Sequence, residues 1–115
     1  MPISMIVLNY NDAELTAKYV QTVQTYQCID HIIVVDNFST DNSFCLLQQL
    51  ASSKVDVIQA PANRGYACGN NFGLRYLFSK YSCTGYVIIS NPDILVGEQT
   101  ICMIAKSFEK RYTIQ

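Results

Sequence analysis

Asp93 closes the segment Ser90-Asn91-Pro92-Asp93, and its carboxylate is the group in this chain whose setting says most about chemistry. The run before it, Gly85-Tyr86-Val87-Ile88-Ile89, is short, apolar and rich in β-branched and aromatic residues, the pattern of a buried strand. Open α/β sheets bind ligands outside the carboxyl ends of their strands, so an acid just past such a run lies at a ligand edge. No basic residue stands within several positions to pair with it. Two roles fit. Asp93 could hold a hard cation, Mg²⁺ or Mn²⁺, that also bridges phosphate oxygens. It could instead shape the Asn-Pro-Asp turn and begin the next helix.

Three more polar loops follow apolar runs in the same way, the first being Asn9-Tyr10-Asn11-Asp12 after Ser4 to Leu8, a turn that can cap a helix. Asp36 comes directly after His31-Ile32-Ile33-Val34-Val35, where its carboxylate could accept from a base N–H or a ribose hydroxyl, or could cap its own turn. Asn37 can both donate and accept. Ser39, Thr40 and Asp41 have capping chemistry, Asp41 foremost. In Asn63-Arg64-Gly65-Tyr66-Ala67-Cys68-Gly69-Asn70-Asn71, Gly65 and Gly69 allow positive φ and close backbone approach. Their spacing matches neither G-x-G-x-x-G nor a Walker A loop, which argues against NAD enzymes and P-loop NTPases. Arg64 is the positive charge of these loops, placed for a phosphate or a stacked base, or simply solvated. Tyr10 and Tyr66 could stack on a base or serve as scaffold.

The elements that must position these groups alternate along the chain. Strands are expected at Ser4 to Leu8, His31 to Val35, Val55 to Gln59 and in the run ending at Ile89. Between them, Leu15, Tyr19, Val20 and Val23 recur at helical spacing through about Thr25, and a second helix carries Phe44, Leu46, Leu47 and Leu50. A third runs from about Cys68 or Gly69 to Tyr81 with Phe72, Tyr76 and Leu77 on one face. A fourth spans about Glu98 to Arg111. This β-α-β-α-β-α-β-α order predicts an α/β, Rossmann-like domain: a mostly parallel sheet of about four strands with crossover helices on both faces. Parallel strands would bring all four polar loops to one edge.

Composition narrows the classes. The 115 residues are 50% hydrophobic and 15% charged, against roughly 25% charged in an average domain. One domain covering 1–115 is expected, with some apolar surface covered by something else. Net charge is −1 with no basic cluster, which disfavours nucleic acid and anionic membranes. No apolar stretch approaches the roughly 20 residues that span a bilayer, and no secretion signal is expected at the amino terminus. Cys28, Cys45, Cys68, Cys83 and Cys102 are scattered singly, and His31 cannot complete a zinc set at the usual spacing. They are expected to be reduced thiols of a cytoplasmic protein, mostly small core fillers, with Cys68 apart in its loop.

Four segments, in order, resemble the family 2 glycosyltransferases of GT-A fold. Ile33-Val34-Val35-Asp36-Asn37-Phe38-Ser39-Thr40-Asp41 is similar to the family's "VVDN-S-D" segment. Asn63 to Gly73 resembles its "N-x-G-(F/Y)-(A/G)-x-(A/G)-x-N-x-G" loop, and Ile6-Val7-Leu8-Asn9-Tyr10-Asn11 its opening. Asn91-Pro92-Asp93 resembles the "NPD" variant of the D-x-D metal motif, found in rhamnosyltransferase-like members. The resemblance implies a nucleotide-sugar donor (dTDP-, UDP- or GDP-linked, NPD leaning toward a deoxysugar on dTDP) and transfer to an acceptor hydroxyl, usually by inversion. It implies that Asp36, Asn37 and Arg64 contact the base, that Asn9 and Tyr10 lie near the nucleotide, and that Asp93 is the metal-side carboxylate for Mn²⁺ or Mg²⁺. Asn91 replaces the leading aspartate; an amide can still bind ribose or a metal-bound water, with one charge fewer at the cation.

Family members continue past this length through the acceptor site and its general base. No residue after Asp93 looks like that base, Glu98 and Glu109 falling in a terminal helix pattern, so no catalytic residue is assigned and the base is expected beyond Gln115. The expectation is a donor-binding part, inactive alone and prone to self-association. The alternative is a non-catalytic nucleotide-binding or interaction module of the same fold. A nucleotidyltransferase fits less well, for want of a glycine-rich loop with following arginine and lysine after the first strand.

Overall fold

The computed structural model describes residues 2–81 and 85–113, with side chains described through Phe108. Cys83 and the Glu109 side chain, both considered above, lie outside the described residues. Four strands, β1 (Ile3–Asn9), β2 (His31–Asp36), β3 (Val55–Gln59) and β4 (Tyr86–Ser90), pair in parallel in the order β3-β2-β1-β4. Four helices connect and follow them: α1 (Ala13–Val23), α2 (Ser43–Leu47), α3 (Tyr66–Tyr81) and α4 (Glu98–Thr113). The expected fold class is the observed one.

The strands read as unbroken apolar runs because both faces of the sheet are covered. Met5, Val7, Ile32 and Val34 pack on one face against Tyr19, Val20 and Val23 of α1, Leu47 of α2 and Ile101 of α4. Ile6, Ile33 and Val35 alternate to the other face, where Leu77 of α3 meets them. Each fully buried Val, Leu or Ile here stabilises the fold by roughly 1.5–3 kcal/mol. The second face is served by α3 alone, and Gly73 lets that helix come close. A Cβ at Gly73 would lie 2.8 Å from Val35 Cγ2 and 3.0 Å from Ile6 Cγ2.

Three expectations are corrected. Helix α3 begins at Tyr66, not at Cys68 or Gly69, because Gly65 takes the left-handed backbone (φ +95) and turns the chain directly into the helix. Gly69 is therefore helical, and its role is close approach to Leu8 and Asn37. The second helix is only five residues long, passing into a 3-10 turn at Gln48–Leu50; Leu47 is its buried leucine and Leu46 is exposed. Most of the described cysteines are not core fillers: Cys45 and Cys68 are exposed and Cys102 is half-buried, while Cys28, also half-buried, packs against the core.

Candidate functional site

Because all four strands run the same way, their exits share one edge. The chain order reverses there between β1 and β4: the first three strands progress outward from β1, and β4 is placed on its other side. Such a reversal opens a crevice between diverging loops. A cavity of about 130 Å³ occupies it, lined from β1 and α1 by Asn9, Tyr10, Asp12 and Thr16 and from β4 by Asn91, Pro92 and Asp93.

Asp12 and Asp93 thus face one space from opposite sides. Asp12 stands at the N-cap position of α1, yet its side chain makes no capping bond. Asp93 is exposed, and its backbone N–H donates to Asn91 Oδ1 at 3.2 Å, so Asn91 forms the turn that presents it. Among the described residues neither carboxylate has a hydrogen-bond or ion-pair partner. Two unpaired carboxylates with amide and hydroxyl oxygens nearby form a hard donor set, of the kind Mg²⁺ and Mn²⁺ prefer.

The neighbouring loops are stitched together. Asn9, 1% exposed, donates from Nδ2 to Asp36 Oδ1 at 2.9 Å and accepts from the Thr16 hydroxyl at 2.7 Å. Asp36, fully buried, also accepts from Ser39 Oγ at 2.6 Å, the Ser39 N–H at 3.0 Å and Gln59 Nε2 at 3.2 Å. The polar atoms of Asn9 and Asp36 therefore point inward, toward the protein. Asn11, at φ +51, accepts from the Thr40 and Asp41 N–H groups and gives its amide to Thr40 Oγ1, tying the β1 and β2 exits a second time. Asp41 accepts from the Ser43 N–H at 2.8 Å in a turn one residue ahead of Asn42, which takes the N-cap position expected of Asp41, and the proximity of Ser43 holds its carboxyl below the usual range.

Farther along the edge, Asn37 Nδ2 donates to Asn63 Oδ1 at 3.1 Å and to the Gly65 carbonyl at 3.4 Å. Its own Oδ1 is buried without a partner, an acceptor with no donor supplied from the protein. Rings stand exposed on three of these exits: Tyr10, Phe38 and Tyr66. Phe38 carries a left-handed backbone (φ +59), a strained conformation for a bulky residue and one that collects at functional sites.

The family 2 glycosyl transferase model matches residues 4–114. The chain belongs to that family. It is 27% identical over 99 residues to a low-salt glycan biosynthesis hexosyltransferase of Haloferax volcanii, covering 86% of this chain and 30% of that protein. A mannosyltransferase from Pyrobaculum calidifontis, solved with GDP-Man and Mn²⁺, superposes with a TM-score of 0.70 at 24% identity, over 86% of this chain and 30% of that one. A crystal structure of S. aureus TarS gives a TM-score of 0.76 at 19% identity, over 97% and 33%. The two superpositions agree with the sheet and helices described above. The family 2 domain spans about 30% of the length of the curated relative.

Not every expected site residue is gathered at the crevice of this family 2 domain. Tyr10, Asn91 and Asp93 line it, with Asn9 at its floor. Asn37 sits one strand away with Asn63. Arg64 lines a separate cavity of about 240 Å³ with Cys68, Phe72 and Arg75, beyond β3. Sequence reasoning took Asp12 only as part of a capping turn and did not weigh Phe38. The missing signal for Asp12 is strand order, which no local pattern carries.

The family 2 domain has a second cluster that the sequence did not disclose. Cys28, Glu98 and Cys102 converge with their ligand atoms within 4.8 Å of one another. Burial pushes the Cys28 thiol up to about 12, and the Cys102 thiol and Glu98 carboxylate push the same way. Elsewhere Asp56 accepts from Tyr76, Tyr81 and Lys80 of α3, a knot that ties that helix to the edge strand β3. No helix among the described residues is long and apolar enough to cross a membrane.

Proposed function

We propose that this domain binds the nucleotide-sugar donor of an inverting, rhamnosyltransferase-like glycosyltransferase that moves a sugar to an acceptor hydroxyl in polysaccharide or glycan synthesis. The observation that carries the reading is the pair of unpartnered carboxylates, Asp12 and Asp93, facing each other across the β1/β4 crevice. Asp93, presented by Asn91, holds the cation side of the site, and Asp12 supplies the second charge that Asn91 lacks. Mn²⁺ or Mg²⁺ bound there would supply Lewis-acid stabilisation of the departing diphosphate. The mannosyltransferase solved with GDP-Man and Mn²⁺ supports that pairing of ligands.

The remaining residues divide the labour. Asn37 Oδ1 accepts from a base N–H, which would satisfy the buried acceptor. Tyr10 packs against the nucleotide beside the crevice, Asn91 takes a ribose hydroxyl or a metal-bound water, and Arg64 reaches for phosphate or base from the β3 side. Asn9 and Asp36 hold the two central strand exits in place, so that these groups stay preorganised. Domain 1–115 supplies donor binding only; the acceptor site and general base belong to further chain in a cytoplasmic enzyme. Exposed Ile94, Leu95, Met103, Ile104 and Phe108 form the surface such a part would cover.

Calorimetric titration with UDP, dTDP and GDP, each with and without Mn²⁺, tests this. Metal-dependent binding selective for one nucleotide is expected. Binding that ignores metal would favour a non-catalytic nucleotide-binding module. Absence of binding in folded protein would remove the donor reading.

A further inference from the structure

Two thiols and a carboxylate meet away from the polar edge. Cys28 lies three residues before β2 begins, hence at the amino end of the strands, opposite the loops that carry Asp12 and Asp93. Glu98 and Cys102 are one turn apart on α4, at i and i+4, and so share a helix face. All three residues are half-buried, and their ligand atoms lie within 4.8 Å of one another.

Several bonds hold the arrangement, and one of them uses a thiol: Cys28 Sγ donates to the Glu98 carbonyl at 4.0 Å, a contact that ionisation of the thiol would release. The Cys28 N–H donates to Glu98 Oε2 at 3.2 Å, and the Tyr26 hydroxyl donates to the Val96 carbonyl at 2.9 Å. Ile101, between Glu98 and Cys102 in sequence, is buried in the core and anchors this end of α4. Among the described residues no lysine or arginine forms an ion pair with Glu98; Lys18 pairs with Glu14 and Lys80 with Asp56.

We propose that Cys28, Glu98 and Cys102 are a binding site for a zinc-class divalent cation that pins α4 to the segment entering β2. Tetrahedral Zn²⁺ holds sulfur at about 2.3 Å and carboxylate oxygen at about 2.0–2.2 Å, which sets its ligand atoms roughly 3.5–3.8 Å apart. Closing from separations of no more than 4.8 Å takes at most about 1 Å, within reach of side-chain rotation at a half-buried site. Once ionised, the three groups repel each other, and a dication is what reverses that repulsion. Thiolates select zinc over Mg²⁺ and Mn²⁺, so this site and the carboxylate crevice take different metals. Binding forms two Zn–S bonds and one Zn–O bond, releases two thiol protons to solvent and leaves a fourth position to water. The inference is independent of the donor-binding reading.

The test is calorimetric titration of the reduced chain with Zn²⁺ alone, in a background carrying Cys45→Ser, Cys68→Ser and Cys83→Ser to remove other thiols. One ion per chain is expected, with about two protons released per ion as read from buffers of different ionisation enthalpy. Tm should rise with Zn²⁺ concentration and stay unchanged with Mg²⁺. Cys28→Ser and Cys102→Ser should each weaken binding at least tenfold, roughly the loss seen for weaker outer-shell changes, and Glu98→Gln should weaken it less than either. Circular dichroism of each metal-free variant establishes that it is folded. Zn²⁺ uptake that survives Cys28→Ser with Cys102→Ser overturns the proposal. So does absence of uptake in folded, reduced protein.

Discussion

Asn9 and Asp36 are register partners across the two central strands, and Asn9 Nδ2 donates to Asp36 Oδ1 at 2.9 Å at the point where both strands end. Through Thr16 the same asparagine reaches α1, and through Ser39 and Gln59 the same aspartate reaches the β2 exit and β3. One buried pair therefore sets the spacing of three of the four exits that carry the site. Asp36→Ala would take an acceptor from Asn9, Ser39 and Gln59 at a site where Asn9 is buried and the other two are half-buried. It should cost about 3 kcal/mol in urea unfolding, with Asp36→Asn costing less because one acceptor remains.

Asp93 and Asp12 are predicted to behave in the opposite way. Among the described residues neither carboxylate is bonded, so Asp93→Ala and Asp12→Ala should each leave stability within about 0.5 kcal/mol of the parent. Mn²⁺-dependent nucleoside diphosphate binding should nevertheless fall at least about tenfold in each, loss of one carboxylate ligand being involved. Melting curves and calorimetry on the same samples separate the two effects.

Gly73 is required by packing, not by backbone conformation. Alanine there gains roughly 1 kcal/mol of helix propensity but drives a methyl into Val35 and Ile6, both fully buried and stiff at χ1. Overpacking costs about 1–3 kcal/mol, so Gly73→Ala should be net destabilising by about 1 kcal/mol. Gly65→Ala meets no atom within 4 Å, and its cost should come from the φ of +95 alone, roughly 1 kcal/mol. Urea midpoints of the two variants, with the loop-binding groups untouched, test the distinction.

Asp56 gives the fold an acid-sensitive contribution. Burial raises its pKa, but hydrogen bonds from Lys80, Tyr76 and Tyr81 outweigh that and leave it below the ordinary value of 3.8. A carboxyl whose folded pKa is depressed stabilises the fold above the unfolded value and loses that contribution as pH falls through the folded one. Asp56→Asn should therefore cost about 1 kcal/mol at pH 7, the half-exposed Lys80 limiting the gain, and the difference should shrink as pH falls below the ordinary value of 3.8 and through the lower folded one. Tm measured against pH for both proteins reads this out.

The exposed apolar surface from Ile94 to Phe108 predicts self-association. Sedimentation velocity should show mass rising with concentration, and Met103→Glu with Ile104→Lys should return the chain to a monomer. A parent chain that stays monomeric at high concentration would show that this surface is tolerated in water.

The element order was legible because each strand is a short β-branched run closed by turn residues, and each helix presents its apolar positions at helical spacing. His31 to Val35 and Val55 to Gln59 needed only those local patterns, and the resemblance of four ordered motifs already pointed to the family. The start of α3 was misplaced because Gly65 could be read either as loop or as the hinge that begins the helix, a choice made by its backbone angle. Burial of Asp36 was not legible, since an aspartate after a strand looks the same whether it faces a ligand or its own neighbours. The meeting of Asp12 with Asp93 and of Cys28 with Glu98 and Cys102 came from tertiary structure alone. Each pairing joins residues some seventy or eighty positions apart and follows from β4 lying beside β1, a choice made by burying both sheet faces at once. Local sequence patterns set what each segment becomes; packing of the whole chain sets which segments become neighbours.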